Sequence, residues 1–543
     1  VMKKQSIIFS IILAIIFGFQ SCDINEEIID EALGEDLLTN ADPLNLLAPA
    51  YNNMRRVYGH RWLFALQTFS ADEGMVPTRQ SDWFDGGTFQ ELNRHDWGPN
   101  HRYTTETWGH VMSGLASATQ AIDFLDEGTR EHAEAVGLLS HFMWVCLDAY
   151  GQVPYRGITE VDFNADPQIL TGAEAVSTII TNLETVLSNL PTGKNTVRFT
   201  QDAAKSLMAR VYLNKAVYED RYASNFSFSN EDMQKVIDLT TEVISGGTHS
   251  LETDDYFSMF DPGNENHREI IWSAKNELTS IRIGGRSVTR NTINGLSRGL
   301  LYLRNDGSFG TGSDAGCTLP GFLDTWDSEN DPRFFKENYP NEEGTIPLSD
   351  YKINRGFLEG QLYGIKNDNG TPIINADQTI DIVPVQLWTR DESLANHTRE
   401  VSLIATNQSV GVRVSKWSID DIGSNSDDTS VDIVVFRLAD LYLMRAEAQL
   451  RLGSGDALAD VNAVRVARGG SDFAIGSATL KDVYNERGYE FYWEYHRRTD
   501  QIRFGTWEDA WTDKTDSDPN MRIFPIPPGP LAETPGLVQN PGY

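Results

Sequence analysis

The chain has 543 residues, 40% of them hydrophobic, enough to build a core that needs neither disulfides nor metals. Seventy-eight acidic residues against forty-five basic ones give a formal charge of −33. That balance excludes nucleic acid as a partner and disfavours anionic headgroups, since a surface of this sign repels both.

The first segment is an address. Lys3 and Lys4 precede a thirteen-residue apolar run, Ile7 to Phe19, too short for an ordinary membrane span and right for a secretion signal. It ends in Phe19-Gln20-Ser21-Cys22, with a small residue directly before a cysteine. This resembles a bacterial lipoprotein cleavage box, although Gln20 stands where such boxes usually carry a small residue. On that reading residues 1–21 are a signal peptide, and Cys22 is the lipid attachment that opens an acidic tether over 22–42. Several acyl chains on one cysteine hold durably where a single chain binds marginally. The plainer alternative is a signal peptide with an incidental cysteine. Cys146 and Cys317 remain, one in an apolar helical stretch and one among glycines, and no structural disulfide is expected between them.

Apolar residues at three- and four-residue steps predict helices over Val111 to Glu127 and Arg130 to Tyr150, and again near 173–189, 201–219 and 232–245. Asp202 and Glu231-Asp232 supply acidic starts, and Gly246-Gly247 a stop. Small residues at Ala203, Ala204 and Ala209 suit close crossings of tetratricopeptide-like hairpins, without a clean 34-residue repeat. From about 250 to 430 Gly, Asn, Asp, Ser and Pro become dense and the helical period disappears, as in segments that carry function. Helical periodicity returns over Phe436 to Gly453, Asp456 to Arg468 and Thr479 to Arg498, and a proline-rich tail from Ile523 to Tyr543 reads as extended over the body. The expected fold is mainly α. Degenerate helical hairpins from both ends of the sequence (43–250 and 431–543) form one scaffold, and a loop-rich, irregular insert (251–430) carries the ligand face.

Several phrases fall in order along these elements: Asp148-Ala149-Tyr150-Gly151-Gln152-Val153-Pro154-Tyr155, Arg437-Leu438-Ala439-Asp440-Leu441-Tyr442 through Ala448, Asn462-Ala463-Val464-Arg465, and Glu486-Arg487-Gly488-Tyr489-Glu490-Phe491. Arg497-Arg498, Asp500-Gln501-Ile502-Arg503-Phe504-Gly505, Pro525-Ile526-Pro527 and Gln539-Asn540-Pro541-Gly542-Tyr543 follow. Together they resemble the SusD/RagB family of Bacteroidetes nutrient-binding lipoproteins over nearly the whole mature chain. The acidic start Asp23, Glu26 and Glu27 likewise resembles the surface-export signal of lipoproteins from that phylum. The resemblance implies a tetratricopeptide-containing, cell-surface protein of the outer membrane. Such a protein captures oligosaccharide or polysaccharide, lids a SusC-type TonB-dependent transporter, uses no cofactor and performs no catalysis. Read physically, the motifs are structural: Arg445, Glu447, Arg487, Glu490 and Arg498 are expected to pair between helices, and Tyr150-Gly151 with Pro154 to stop a helix and turn the chain.

A glycan site needs exposed aromatic rings beside planar donors and acceptors, because sugar faces stack on rings while hydroxyls seek bidentate partners. Two stretches supply that mixture. In residues 70–100 the tryptophans sit in polar, glycine-rich surroundings; by similarity to the family Asp72, Arg79, Trp83, Trp97 and Asn100 are the ligand-facing candidates. Pinning a loop to the helical body is the alternative for each tryptophan, and His95 reads as structural. In Arg290 to Trp326 the picks are Tyr302 and Trp326. Arg282, Arg286, Arg290, Arg298 and Arg304 lie in a stretch without acidic residues; they suit an anionic sugar or this protein's own acidic surface. A neutral glycan, such as a β-glucan, is the preferred ligand.

Rival readings remain open. A glycosidase needs two carboxylates about 5–10 Å apart across a cleft, but no P-loop, His-Glu-x-x-His or paired Cys-x-x-Cys motif is present. Asp513, Asp516 and Asp518, and Asp368 with Gly370, cluster without matching a calcium loop, so no metal is assigned. A peptide-binding lipoprotein of the same family is the remaining alternative, disfavoured by the exposed-tryptophan pattern.

Overall fold

The computed structural model describes residues 42–80, 83–276, 315–368, 371–385, 396–404, 407, 410–418 and 430–543. The signal segment, Cys22, the arginine stretch and Tyr302 lie outside the described residues, as does Gly370.

Fourteen α-helices dominate the described chain, as the periodicity predicts. They are α1 (Pro43–Val57), α2 (Leu63–Thr68), α3 (Thr88–Arg94), α4 (Arg102–Phe124), α5 (Arg130–Tyr150), α6 (Gly172–Val186) and α7 (Gln201–Glu219). After α8 (Asn230–Ser245) and the single turn α9 (Pro320–Leu323) come α10 (Leu438–Leu452), α11 (Ala457–Gly469), α12 (Leu480–Phe491), α13 (Arg497–Phe504) and α14 (Pro528–Glu533). Their ends follow local chemistry. Thr129, Thr200, Ser229 and Asp456 accept hydrogen bonds from backbone N–H groups three residues on, and Thr479 with Asp482 closes a capping box at α12. Gly453 and Gly505 end α10 and α13 in the left-handed conformation.

Helices neighbouring in sequence pack on one another from α4 through α8, and α8 then packs on α10, which packs on α11. The array therefore continues across the insert, so the scaffold is built from both ends of the sequence as expected. Close crossings depend on missing side chains. A Cβ on Gly114 would stand 2.4 Å from the Phe142 ring, and one on Gly137 2.2 Å from Phe199. The insert leaves and re-enters through an antiparallel pair, Ile270–Ala274 with Ile433–Arg437, both strands fully buried. Among the described residues it otherwise holds α9, two 3-10 turns and short strands, including Gly344–Pro347, Tyr363–Ile365 and Thr379–Pro384 in one small sheet, with its own cluster around Ile365, Ile380 and Ile382.

Three expectations need correction. The helix expected from Val111 begins at Arg102, because the His101 side chain caps it. The helix read as one piece from Thr479 to Arg498 is two, broken over 492–496, where Trp493 (φ 58°) and Tyr495 (φ 69°) take left-handed backbone. Both are large residues for which this conformation is strained, and burial of their rings against Phe64 and Tyr58 holds them there. The proline-rich tail follows a 3-10 turn, Pro519–Arg522, and is extended in part but includes α14.

The motif arginines and glutamates are structural, as expected. Arg445 pairs with Asp460, Arg503 with Glu447, Arg487 with Asp440 and Asp500, and Arg498 with Asp148. Around Glu490 they join a buried lattice. Arg333, Arg437 and Arg468 all reach its carboxylate, at 2.7, 2.5 and 2.5 Å. Arg437 also bonds Glu269 and Glu494, and Lys416 bonds Glu494 at 2.6 Å. Burial alone would raise the Glu490 carboxyl, but these arginines hold it well below the usual carboxylate range. The lattice ties the insert, through Glu269, Arg333 and Lys416, to the C-terminal helices. Gly151 answers a different need: its φ of 71° ends α5, and a Cβ there would meet Ile523 at 2.4 Å, so the tail can lie across the turn. Cys146 and Cys317 are free and buried.

Candidate functional site

The Ser70-Ala71-Asp72-Glu73 phrase docks on the break between α12 and α13. Buried Glu73 accepts the Trp493 backbone N–H at 3.1 Å, leaving its other oxygen without a partner among the described residues. Burial pushes this carboxyl up to about 8, countered only in part by the Trp493 bond and Arg497. Asp72, beside it, forks onto Arg497 at 2.6 and 2.8 Å. The strained break thus presents Arg497 towards the segment that the sequence marked for ligand contact.

A cleft of about 300 Å³ opens there, between Asp72, α9 with the residues after it, α12, α13 and the 506–512 loop. Phe322, Tyr484 and Trp511 supply its rings, and Asn485, Gln501, Lys481 and Asp509 its polar groups. The Arg497 guanidinium lies 5.2 Å from the Phe322 ring centroid and 4.3 Å from that of Tyr484. It is buried, and its Nη1 has no hydrogen-bond acceptor among the described residues. Trp511 is held by Lys514, 4.0 Å over its ring, and by the edge of His95 at 5.1 Å, with its indole Nε1 likewise without a partner. Burial, then Asp516 and Glu508, raise the Asp509 carboxyl. The cleft therefore combines apolar faces with polar side chains, beside two buried donors that have no partner among the described residues, a mixture suited to a polyhydroxylated ligand.

The structure distributes the residues marked in the sequence over this region unevenly. Asp72 lines the cleft. Trp326, 7% exposed, lies behind its wall, packing on Phe322, Phe357 and Tyr489, while Tyr489 bonds the Thr325 carbonyl. Trp97, 3% exposed, donates to the Tyr543 hydroxyl at 2.7 Å and packs on Phe524 and His95. It pins the chain terminus to the body and offers little surface to a ligand. Arg79 is fully buried and donates to the carbonyls of Ala315, Asn407 and Val410, fastening the 70–80 segment to the insert. Trp83 is half-buried near Phe89, with left-handed backbone (φ 64°), and Asn100 is exposed just before α4. His95 is structural: its ring nitrogens lie 2.8 Å from the Ser70 carbonyl and 3.0 Å from the Ser517 hydroxyl.

The sequence reading missed Phe322, Tyr484, Arg497, Gln501 and Trp511 as cleft residues. Arg497 and Gln501 fall inside structural motifs, and only the helix break brings them to the wall of the cleft. Trp511 did carry a signal, since it stands among Asp, Thr and Lys residues outside any apolar period.

Among the described residues no group of three or more His, Cys, Asp or Glu is arranged to hold a metal. In the acidic 513–518 loop, Asp513 accepts the Leu403 N–H and Asp518 caps the turn at Asn520. No described helix is long and apolar enough to cross a membrane.

The described residues thus define a class: a helical-hairpin scaffold carrying a loop-rich insert and an aromatic, hydrogen-bonding cleft. Residues 389–543 match the model of the SusD family. Over 519 residues the chain is 24% identical to the starch-binding protein SusD of Bacteroides thetaiotaomicron, covering 88% of this chain and 86% of that protein. It is 25% identical to SusD-like protein P25 of Formosa agariphila over 57% of this chain and 55% of that one. Among solved structures, a SusD homolog from Bacteroides thetaiotaomicron superposes with a TM-score of 0.67 at 17% identity, covering 94% of this chain and 99% of that one. A laminarin-binding SusD-like protein gives 0.62 at 20% identity, covering 92% and 99%. Residues 389–543 thus match the SusD family, and the chain shares the fold of SusD-like proteins.

Proposed function

We propose that this protein is a cell-surface lipoprotein, anchored to the outer membrane through Cys22, that captures a neutral glycan and delivers it to a SusC-type TonB-dependent transporter, acting as its lid. The observation that carries the glycan reading is the cleft at Arg497. The rings of Phe322 and Tyr484 flank a guanidinium whose charge Asp72 already balances and whose Nη1 lacks an acceptor among the described residues. A neutral hydroxyl satisfies that donor without bringing a charge, whereas a uronate or sulfate would meet Asp72 and Asp509. The SusD and laminarin-binding relatives, named for starch and laminarin, support the same class of ligand.

No catalytic step is assigned. Asp72 is tied into a forked ion pair, and the strongly perturbed carboxyl beside it, Glu73, is fully buried behind the cleft. Binding without turnover is the expected behaviour.

The test is affinity electrophoresis of the protein from residue 23 onward in gels containing laminarin, amylopectin or alginate, with product analysis of each polysaccharide after long incubation. Retardation by a neutral glucan with no cleavage is expected. Retardation by alginate alone would reverse the charge assignment, and release of shorter products would replace binding with catalysis.

A further inference from the structure

We propose that the chain carries a second saccharide-binding cleft, formed by α4, the 154–167 segment and the C-terminal tail; this extends the glycan-binding reading and rests on it. The two clefts share no lining residue. This one encloses about 480 Å³, within the range of small-ligand sites.

Its floor follows from helical spacing. Trp108, Met112, Leu115 and Thr119 fall on one stripe of α4 and face the opening. Pro154, Pro167, Pro530 and Pro535 wall it, rigid rings that need no ordering when a ligand arrives. Phe163 stands at the edge, 46% exposed, a large ring left in water. Arg156 fixes the loop that presents it, donating to the carbonyls of Asp162 and Ala165. Asp166 and Glu533 also line the cleft, and neither makes an ion pair or hydrogen bond among the described residues.

Exposed ring, apolar floor and unpaired carboxylates are complementary to a sugar, whose C–H face stacks while vicinal hydroxyls donate to carboxylates. Two carboxylates against one arginine disfavour an anionic glycan. A proline-rich peptide suits the floor but brings few donors for Asp166 and Glu533. A polysaccharide engaging both clefts gains from effective concentration, and a trisaccharide does not.

Isothermal titration of laminarin, amylopectin and laminaritriose into the wild-type protein, Trp511→Ala in the first cleft, Phe163→Ala/Glu533→Gln in the second, and all three changes together decides it. All the substituted second-cleft side chains are exposed, so the fold should survive, and circular dichroism checks this. Polysaccharide affinity should fall about tenfold in the second-cleft variant, the loss of a stacked ring and an accepted hydroxyl bond. Trp511→Ala should retain measurable binding that the combined variant loses. If the second-cleft variant binds as wild type while Trp511→Ala binds nothing, the second cleft is refuted and the first stands. If wild type binds none of the sugars, the glycan reading fails and takes this proposal with it. Binding of a polyproline peptide to wild type, lost in the Phe163 variant without change in sugar binding, would also overturn it.

Discussion

Two arginine-centred regions of this molecule lie one helix apart and behave oppositely. Around Glu490, three arginines and a network of carboxylates saturate one another, fully buried, across the seam between insert and C-terminal helices. Around Arg497, one carboxylate balances one guanidinium, the rings of Phe322 and Tyr484 flank it, and donors remain on Arg497 and Trp511. Both regions draw on the same motif residues between Glu486 and Gly505. The difference lies in satisfaction. A buried polar network that is complete holds a fold together, and one left incomplete beside an opening is poised for a ligand.

The largest expected effect breaks the first region. Arg437→Met leaves Glu269, Glu490 and Glu494 short of a partner in the core, and should cost about 3–5 kcal/mol in chemical denaturation, as for breaking a buried ion pair. Trp511→Ala, in the second region, should cost less in denaturation, since Trp511 is only partly buried.

Acid distinguishes the regions next. In the lattice of the C-terminal helices, burial would raise the Glu447 carboxyl, but Arg503 and Arg451 outweigh it and hold it at about 2. Its contribution is therefore present above the ordinary carboxylate value of 4.5 and lost as pH falls towards 2. Glu73 runs the other way. Its carboxyl rises from 4.5 to about 8, so the wild-type fold loses stability as pH rises through that window. Glu73→Gln should consequently gain relative to wild type between pH 4.5 and 8, by roughly 1–3 kcal/mol at the upper end. Melting curves at a series of pH values read this, and a difference between the two proteins that does not grow with pH would contradict it.

Much of the scaffold was legible because it obeys local rules. The periods from Arg130 to Tyr150 and from Gln201 to Glu219 match their helices end to end, and the helices on either side of the insert meet as expected. The break at 492–496 was not legible. Trp493 and Tyr495 continue an apolar period, and only tertiary burial of their rings enforces left-handed backbone there. The cleft inherits that blindness. Asp72 was marked by its phrase, but its partner Arg497 lies more than four hundred residues away and turns towards it because the helix breaks. Trp97 and Trp326, in polar sequence surroundings, are buried by Tyr543, Phe524 and Tyr489, contacts that local composition does not encode.

The central claim is that the unsatisfied cleft at Arg497, and not the saturated lattice, meets the glycan. Isothermal titration of laminarin into wild type and Trp511→Ala tests it most directly, with melting curves confirming that both are folded. Loss of a stacking ring should weaken binding by about 1–1.5 kcal/mol, roughly tenfold, with both proteins folded. Equal affinity in the two proteins would contradict the assignment of this cleft.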